Sequence, residues 1–210
     1  VATVKSEPSA DMHGFVQRQI TGRFGTRPRH CAFHPTLPVA YVLTECGNCV
    51  GWHSYDPRSG SFGPLLGQRR CTRFVRGTVE CFSRSCFLPN VNAAAEIEVS
   101  RDGLHLYVSN RGIGPLADNS IVVFQLDAAT GEPGKAQGTA TDKGPRHFCL
   151  FQASGAAQSA VQMLLVGNQG AKSAGLYAVS AADGTLQHVK TSDVGHPVDC
   201  VQVLELPARA

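Results

Sequence analysis

Three side chains suited to moving protons share one slot of a repeated phrase. Arg27-Pro-Arg-His-Cys-Ala-Phe33 and Gly144-Pro-Arg-His-Phe-Cys-Leu150 are near-copies. Ala94-Ala-Glu-Ile-Glu-Val-Ser100 is a degenerate copy between them, and Gly195-His-Pro-Val-Asp-Cys-Val201 is a fourth. The slot holds His30, Glu96, His147 and then Val198. A glutamate or histidine with a suitable pKa takes a proton from water or returns one to a leaving group. Arg29 and Arg146 stand just before the two histidines. A guanidinium grips carboxylate or phosphate through two parallel N–H donors, and a cation opposite the base stabilises an oxyanion. There is no Gly-x-Ser-x-Gly elbow, which disfavours a serine acyl-enzyme.

The elements that position these groups recur in the same order after each slot. After His30 come Cys31–Phe33, a turn at His34–Pro38, Val39–Leu43, Val50–Tyr55, a turn at Asp56–Gly60 and Phe62–Leu66. After Glu96 come Ile97–Val99, the turn Arg101–Gly103, Leu104–Val108, Ile121–Leu126 and the turn Asp127–Gly131. After His147 come Phe148–Leu150, a longer Ala/Ser/Gly turn, Met163–Val166, Gly175–Val179, the turn Ala182–Gly184 and Leu186–Val189. Short β-branched and aromatic runs bounded by Gly, Pro, Asp or Ser read as strands and turns. No long stretch carries a helical period, so almost no helix is expected. Four strands per unit, at roughly fifty residues each, predict an all-β fold of antiparallel β-propeller blades.

Blade geometry turns the repeat into a constellation. The innermost strand lines a central channel and the second returns beside it, so strand-one starts and strand-two ends meet on one face. Strand-two ends carry Thr44-Glu45, Asn110-Arg111 and Asn168-Gln169. The expected mouth therefore has Glu96, His30 and His147 as catalytic candidates. Arg146, Arg111, Glu45, Asn110 and Asn168 are the candidates for holding substrate. Arg111 and Arg146 have an alternative as inter-blade ion pairs with Glu45 or Glu96, and the two asparagines as makers of turn hydrogen bonds. Asp56, Asp127 and Asp183 lie in hairpin turns and read as structural.

The count of units is short for a closed ring. The expected boundaries are a blade tail at 1–26 with His13–Ile20 as an outer strand, blades at about 27–93, 94–143 and 144–194, and a first strand of another blade at 195–206. Propellers typically close with four to eight blades. The expectation is a single partial propeller domain, about three and a half blades of a seven-bladed ring, from a longer protein or a truncated product; self-association to complete the ring is the alternative. Lysine and arginine total 19 against 16 acidic residues, a net charge of +3. The basic run Gln68–Arg73 with Arg76 reads as a solvated loop, not a nucleic-acid surface. No membrane span or leader is apparent, and the cytoplasm is the expected compartment. Eight cysteines include Cys46-Gly-Asn-Cys49, but the only near pair beyond it, Cys81 and Cys86, has the wrong spacing for zinc. Cys31, Cys149 and Cys200 read as reduced, buried core residues.

The chain resembles a known family at these same residues. Pro28-Arg-His30 with Phe33-His-Pro35, Ala40-Tyr-Val42 with Glu45, Ala94-Ala-Glu-Ile97, Leu106–Gly112, Gly144–His147 and Gly167-Asn-Gln169 are similar to the seven-bladed propeller lactonases. That family includes the propeller type of 6-phosphogluconolactonase and the fungal carboxy-cis,cis-muconate cyclase, and the likeness runs from about Arg27 to Leu206. It implies hydrolysis of a small anionic lactone, foremost 6-phosphogluconolactone, or the reverse cyclisation, with no metal and no cofactor. The implied site combines His30, Glu96 and Arg146, with Arg84 matching a further arginine. Alternatives are a calcium-dependent lactonase using Glu96, Asn110 and Asn168, and a non-catalytic propeller acting as an interaction surface. The Cys- and Arg-rich stretch 67–92 departs from the family's short polar loop.

Overall fold

The computed structural model describes residues 27–72, 91–113, 118–153 and 161–204. These form three four-stranded antiparallel sheets, each ordered as it is in sequence. The first holds β1 (Pro28–Phe33), β2 (Val39–Thr44), β3 (Cys49–Asp56) and β4 (Ser61–Arg70). The second holds β5 (Val91–Val99), β6 (His105–Ile113), β7 (Ser120–Leu126) and β8 (Pro133–Ala140). The third holds β9 (Pro145–Ala153), β10 (Val161–Asn168), β11 (Ser173–Val179) and β12 (Leu186–Asp193). Among the described residues there is no helix, hence none long and apolar enough to cross a membrane. The expected all-β blade architecture is present.

Burial grades across each blade, and residue choice follows it. β2 is buried at all six positions, because both its faces meet other side chains, and its sequence is accordingly Val-Ala-Tyr-Val-Leu-Thr. The outermost strands are largely exposed and polar. Two apolar clusters hold the blades together. One lies between the first and second sheets, around Tyr41, Trp52, Leu106 and Phe124; the other lies between the second and third, around Tyr107, Phe148, Leu164 and Tyr177. Fully burying one such side chain contributes about 1.5–3 kcal/mol.

Polar ties repeat from blade to blade. The Tyr41 hydroxyl donates to the Gly131 carbonyl at 2.7 Å, and Tyr107 in the same slot donates to Gly184 at 2.8 Å. Both glycines end the hairpin between the third and fourth strands of the next blade, at φ of 72° and 69°. A side chain is strained at such φ, so glycine leaves the carbonyl where the tyrosine reaches it. His34, buried, bonds the Gly103 carbonyl through Nε2 and accepts the Leu37 N–H on Nδ1, tying the first blade to the second.

Four details depart from the sequence reading. Cys31 and Cys200 are exposed and Cys149 is only partly buried; Cys71 is the buried thiol. Strand alternation turns Ala32 toward the core and leaves Cys31 and Phe33 on the opposite face, while Cys200 lies in a segment without a ladder. Gln68, Arg69 and Arg70 end β4 and are not a loop. Arg69 lies over the Trp52 ring, 5.2 Å from its centre, and pairs with Glu132 at 2.6 Å. β5 begins at Val91, ahead of the expected blade boundary, and residues 195–204 form no strand. Arg73, Arg76, Cys81, Arg84, Cys86 and the stretch His13–Ile20 lie outside the described residues.

Candidate functional site

Each innermost strand carries a break in register just before the shared slot. Pro28 pairs with Thr44 and His30 with Leu43, leaving Arg29 as the extra residue. Pro145 pairs with Asn168 and His147 with Gly167, leaving Arg146 extra. Ala94 pairs with Asn110 and Ile97 with Val108, so Ala95 and Glu96 together face Ser109. A bulge bends its strand and re-aims the side chain beside it. The recurrence brings His30, Glu96 and His147 together at one level of three neighbouring strands.

Glu96 is 8% exposed and sits between two imidazoles. Its Oε1 is 2.8 Å from His30 Nδ1 and also accepts the Ile97 N–H at 3.1 Å. Its Oε2 is 3.2 Å from His147 Nε2. That second contact has ion-pair reach without hydrogen-bond alignment, so Oε2 is a buried carboxylate oxygen with no aligned donor among the described residues. His147 Nδ1 is likewise buried and unpartnered among the described residues. The Glu96 N–H bonds Ser109 Oγ at 2.9 Å, which pins the bulge from the neighbouring strand. His30 keeps 37% of its side chain exposed and His147 28%, so the group opens to solvent on the imidazole side.

Arg29 lies within electrostatic reach of this carboxylate, and two further arginines lie within reach of Arg29. Arg111 forms a short ion pair with Glu45, both largely buried. Arg146 Nε is 3.4 Å from Asp199, whose Oδ1 also accepts Gln169 Nε2 at 2.5 Å. Arg29 Nε donates to the Ala95 carbonyl at 2.8 Å, on the bulge next to Glu96. Burial lowers the Arg29 pKa below the usual arginine value, and the like charges of Arg111 and Arg146 add to this against the opposing pull of Glu45 and Glu96. Arg111 and Arg146 each lie within electrostatic reach of Arg29, and clustered positive charge favours an anion.

The two asparagines are placed differently from the mouth residues. Asn110 and Asn168 are fully buried. Asn110 donates to the Cys71 carbonyl at 2.5 Å and Asn168 to Ser173 Oγ at 3.2 Å, so their amides brace strand ends and neither is presented to solvent. Sequence reasoning did not nominate Asp199 or Glu98. Asp199 stands in the degenerate fourth copy, where the slot residue is Val198. Glu98 lies two residues beyond Glu96 on β5 and accepts the Leu150 N–H at 3.0 Å. It lines a cavity of about 310 Å³ with Arg101, Leu150, Gln152, Gln162 and Val203. Burial first, then the Glu96 charge, push its pKa up to about 7 against the Leu150 hydrogen bond. The signal for Glu98 was its alternation with Glu96 on a strand whose only other polar residue is Asn92. Among the described residues no cluster of three His, Cys, Asp or Glu is arranged to hold a metal.

Comparison with known proteins supplies a second line of observation. The family described as "Lactonase, 7-bladed beta-propeller" matches residues 9–203. The 6-phosphogluconolactonase of Bacillus subtilis (strain 168) is 31% identical over 132 residues, covering 62% of this chain and 33% of the relative. The 6-phosphogluconolactonase of Enterobacter sp. (strain 638) is 25% identical over 183 residues, 84% of this chain and 46% of the relative. A crystal structure of a Lactobacillus plantarum protein superposes with a TM-score of 0.66 at 28% identity, covering 86% of this chain and 46% of that one. The periplasmic gluconolactonase of Pseudomonas aeruginosa shares the fold with a TM-score of 0.62 at 24% identity, covering 83% and 42%. The chain thus spans less than half the length of these relatives.

Proposed function

Because this chain belongs to the seven-bladed β-propeller lactonase family, we propose that its His–Glu–His group hydrolyses a small anionic lactone, foremost 6-phosphogluconolactone. The observation that carries the reading is the Glu96 carboxylate, buried between His30 and His147 with one oxygen lacking an aligned donor among the described residues. That oxygen accepts a proton from a water molecule while the water oxygen attacks the lactone carbonyl. An arginine or imidazolium at the mouth stabilises the resulting oxyanion. The ring C–O bond then breaks, the ring oxygen leaves as an alcohol by taking the proton that Glu96 drew from the water, relayed by a neighbouring imidazole, and the acyl carbon becomes a carboxylic acid while Glu96 returns to the carboxylate. His30 orients Glu96 through Oε1, and His147 sits on the oxygen that handles the proton. The relatives named 6-phosphogluconolactonase support the choice of substrate.

The test is lactone hydrolysis by the wild type and by Glu96→Gln, which keeps the size and the hydrogen bond to His30. Loss of general-base catalysis is expected to lower kcat by about 10²–10⁴-fold with little change in KM. Equal turnover would remove Glu96 from the chemistry. A second reading, a non-catalytic interaction surface, is favoured by large apolar side chains exposed on the two outer blades, Phe33 and Leu66 on one and Val189 on the other. Lactone turnover by a single folded species would rule it out.

A further inference from the structure

We propose that Arg29, rather than Arg111 or Arg146, receives the phosphate group of the substrate. The inference rests on the lactonase reading for the substrate and on the ion pairing of the mouth for the residue. Arg111 is neutralised by Glu45, and Arg146 is paired with Asp199. Arg29 has no carboxylate within ion-pair distance among the described residues; its one hydrogen bond there is from Nε to the Ala95 carbonyl. That bond fixes the guanidinium plane against the bulge and leaves the edge made by its two terminal nitrogens unspent. Such an edge matches two oxygens of a phosphate, and a preorganised guanidinium loses little freedom on binding. The crowding of Arg29 with Arg111 and Arg146 is relieved when an anion arrives, so the site has an electrostatic preference for an anionic substrate. Fastened to Ala95, Arg29 also links the anion grip to the residue adjoining the base. His30, next in sequence, holds Glu96 itself. Two consecutive residues of the first blade thereby set both ends of the bulge on the second.

The test compares wild type, Arg29→Gln and Arg29→Lys on 6-phosphogluconolactone and on its uncharged parent, glucono-δ-lactone. Losing one charge-assisted contact predicts a 10–100-fold rise in KM for the phosphorylated lactone in Arg29→Gln. The KM for the uncharged lactone should stay within about twofold of wild type, and Arg29→Lys should recover part of the difference because it restores charge without the fork. An equal loss on both lactones would reduce Arg29 to a structural tie and overturn the proposal. So would an unchanged KM on the phosphorylated one. A readout free of catalysis is titration of inorganic phosphate onto the chain, followed by the NMR shifts of the His30 ring. Wild type should saturate, and Arg29→Gln should bind about tenfold or more weakly, with Arg29→Lys between. Equal binding by wild type and Arg29→Gln would sink the assignment. No turnover of either lactone, with phosphate binding still dependent on Arg29, would defeat the lactonase reading and leave the anion site standing.

Discussion

Glu96 and Glu98 stand two positions apart on one face of β5, yet their surroundings set them to different tasks. Glu96 has an imidazole against each oxygen. Glu98 has one backbone N–H for company, a half-buried setting and the charge of Glu96 nearby, and its pKa rises to about 7. The folded chain therefore keeps a proton on Glu98 at pH values where the unfolded chain, near the ordinary value of 4.5, has released it. Wherever the folded state binds more protons, stability falls as pH rises. The contribution of this group is complete below about pH 4.5 and is lost as pH climbs through 7. Glu98→Gln retains an acceptor for the Leu150 N–H and cannot ionise, so its Tm should gain on that of wild type between pH 5 and pH 8. A Tm difference that stays constant with pH would show that Glu98 ionises alike in the folded and unfolded chain. At this scale the sequence revealed the slot residues His30, Glu96 and His147, because repetition made them comparable. It did not reveal that Asp199 compensates Arg146, since that pairing requires residues 197–204 to lie beside β9.

The elements owe their stability to junctions that the repeat copies imperfectly. Tyr41 and Tyr107 each reach a glycine carbonyl in the following blade, whereas the third copy has Leu165 in the same slot. Tyr107→Phe keeps the ring in the apolar cluster and leaves the buried Gly184 carbonyl unpaired. The expected cost is about 1–3 kcal/mol, the usual penalty for orphaning a buried polar group. Urea unfolding should show it as a lower midpoint at an unchanged m-value. A loss indistinguishable from that of Tyr55→Phe, a partly buried tyrosine with no such junction among the described residues, would mean that the hydrogen bond carries nothing. Strands β2, β3, β6 and β7 were legible because burial on both faces demands an apolar run. β8, Pro-Gly-Lys-Ala-Gln-Gly-Thr-Ala, was not, because an outer strand with one solvated face needs no apolar pattern. The bulges at Arg29, Ala95 and Arg146 escaped for another reason. One extra residue in a ladder leaves the neighbouring hydrophobic runs intact, and only the pairing partners expose it.

Across the whole molecule, the described blades meet their neighbours through shared apolar clusters. One apolar cluster joins the first and second sheets and another joins the second and third. Chains of stacked units behave as nearest-neighbour arrays, in which a disturbance is felt by adjoining units and fades beyond them. The segment after β12 offers a clean way to apply one. Val198 and Val201 pack against Gly167 of β10, where an added Cβ would come within 2.6 Å of a Val198 methyl. Gly167→Ala should therefore push residues 197–204 away from β9, at about 1–3 kcal/mol for an overpacked contact. Asp199 would move with them and release Arg146. Amide hydrogen exchange should then accelerate in the third sheet and in 197–204, with little change in β1–β4. Protection lost uniformly across all three sheets would mean that the blades unfold as one cooperative block. In that case the slot residues would depend on the whole array and not on adjoining blades alone. Local loss would instead confirm that His30 and Glu96 are held by the first junction and His147 by the second. The third sheet could then loosen while the His30–Glu96 pair stayed intact.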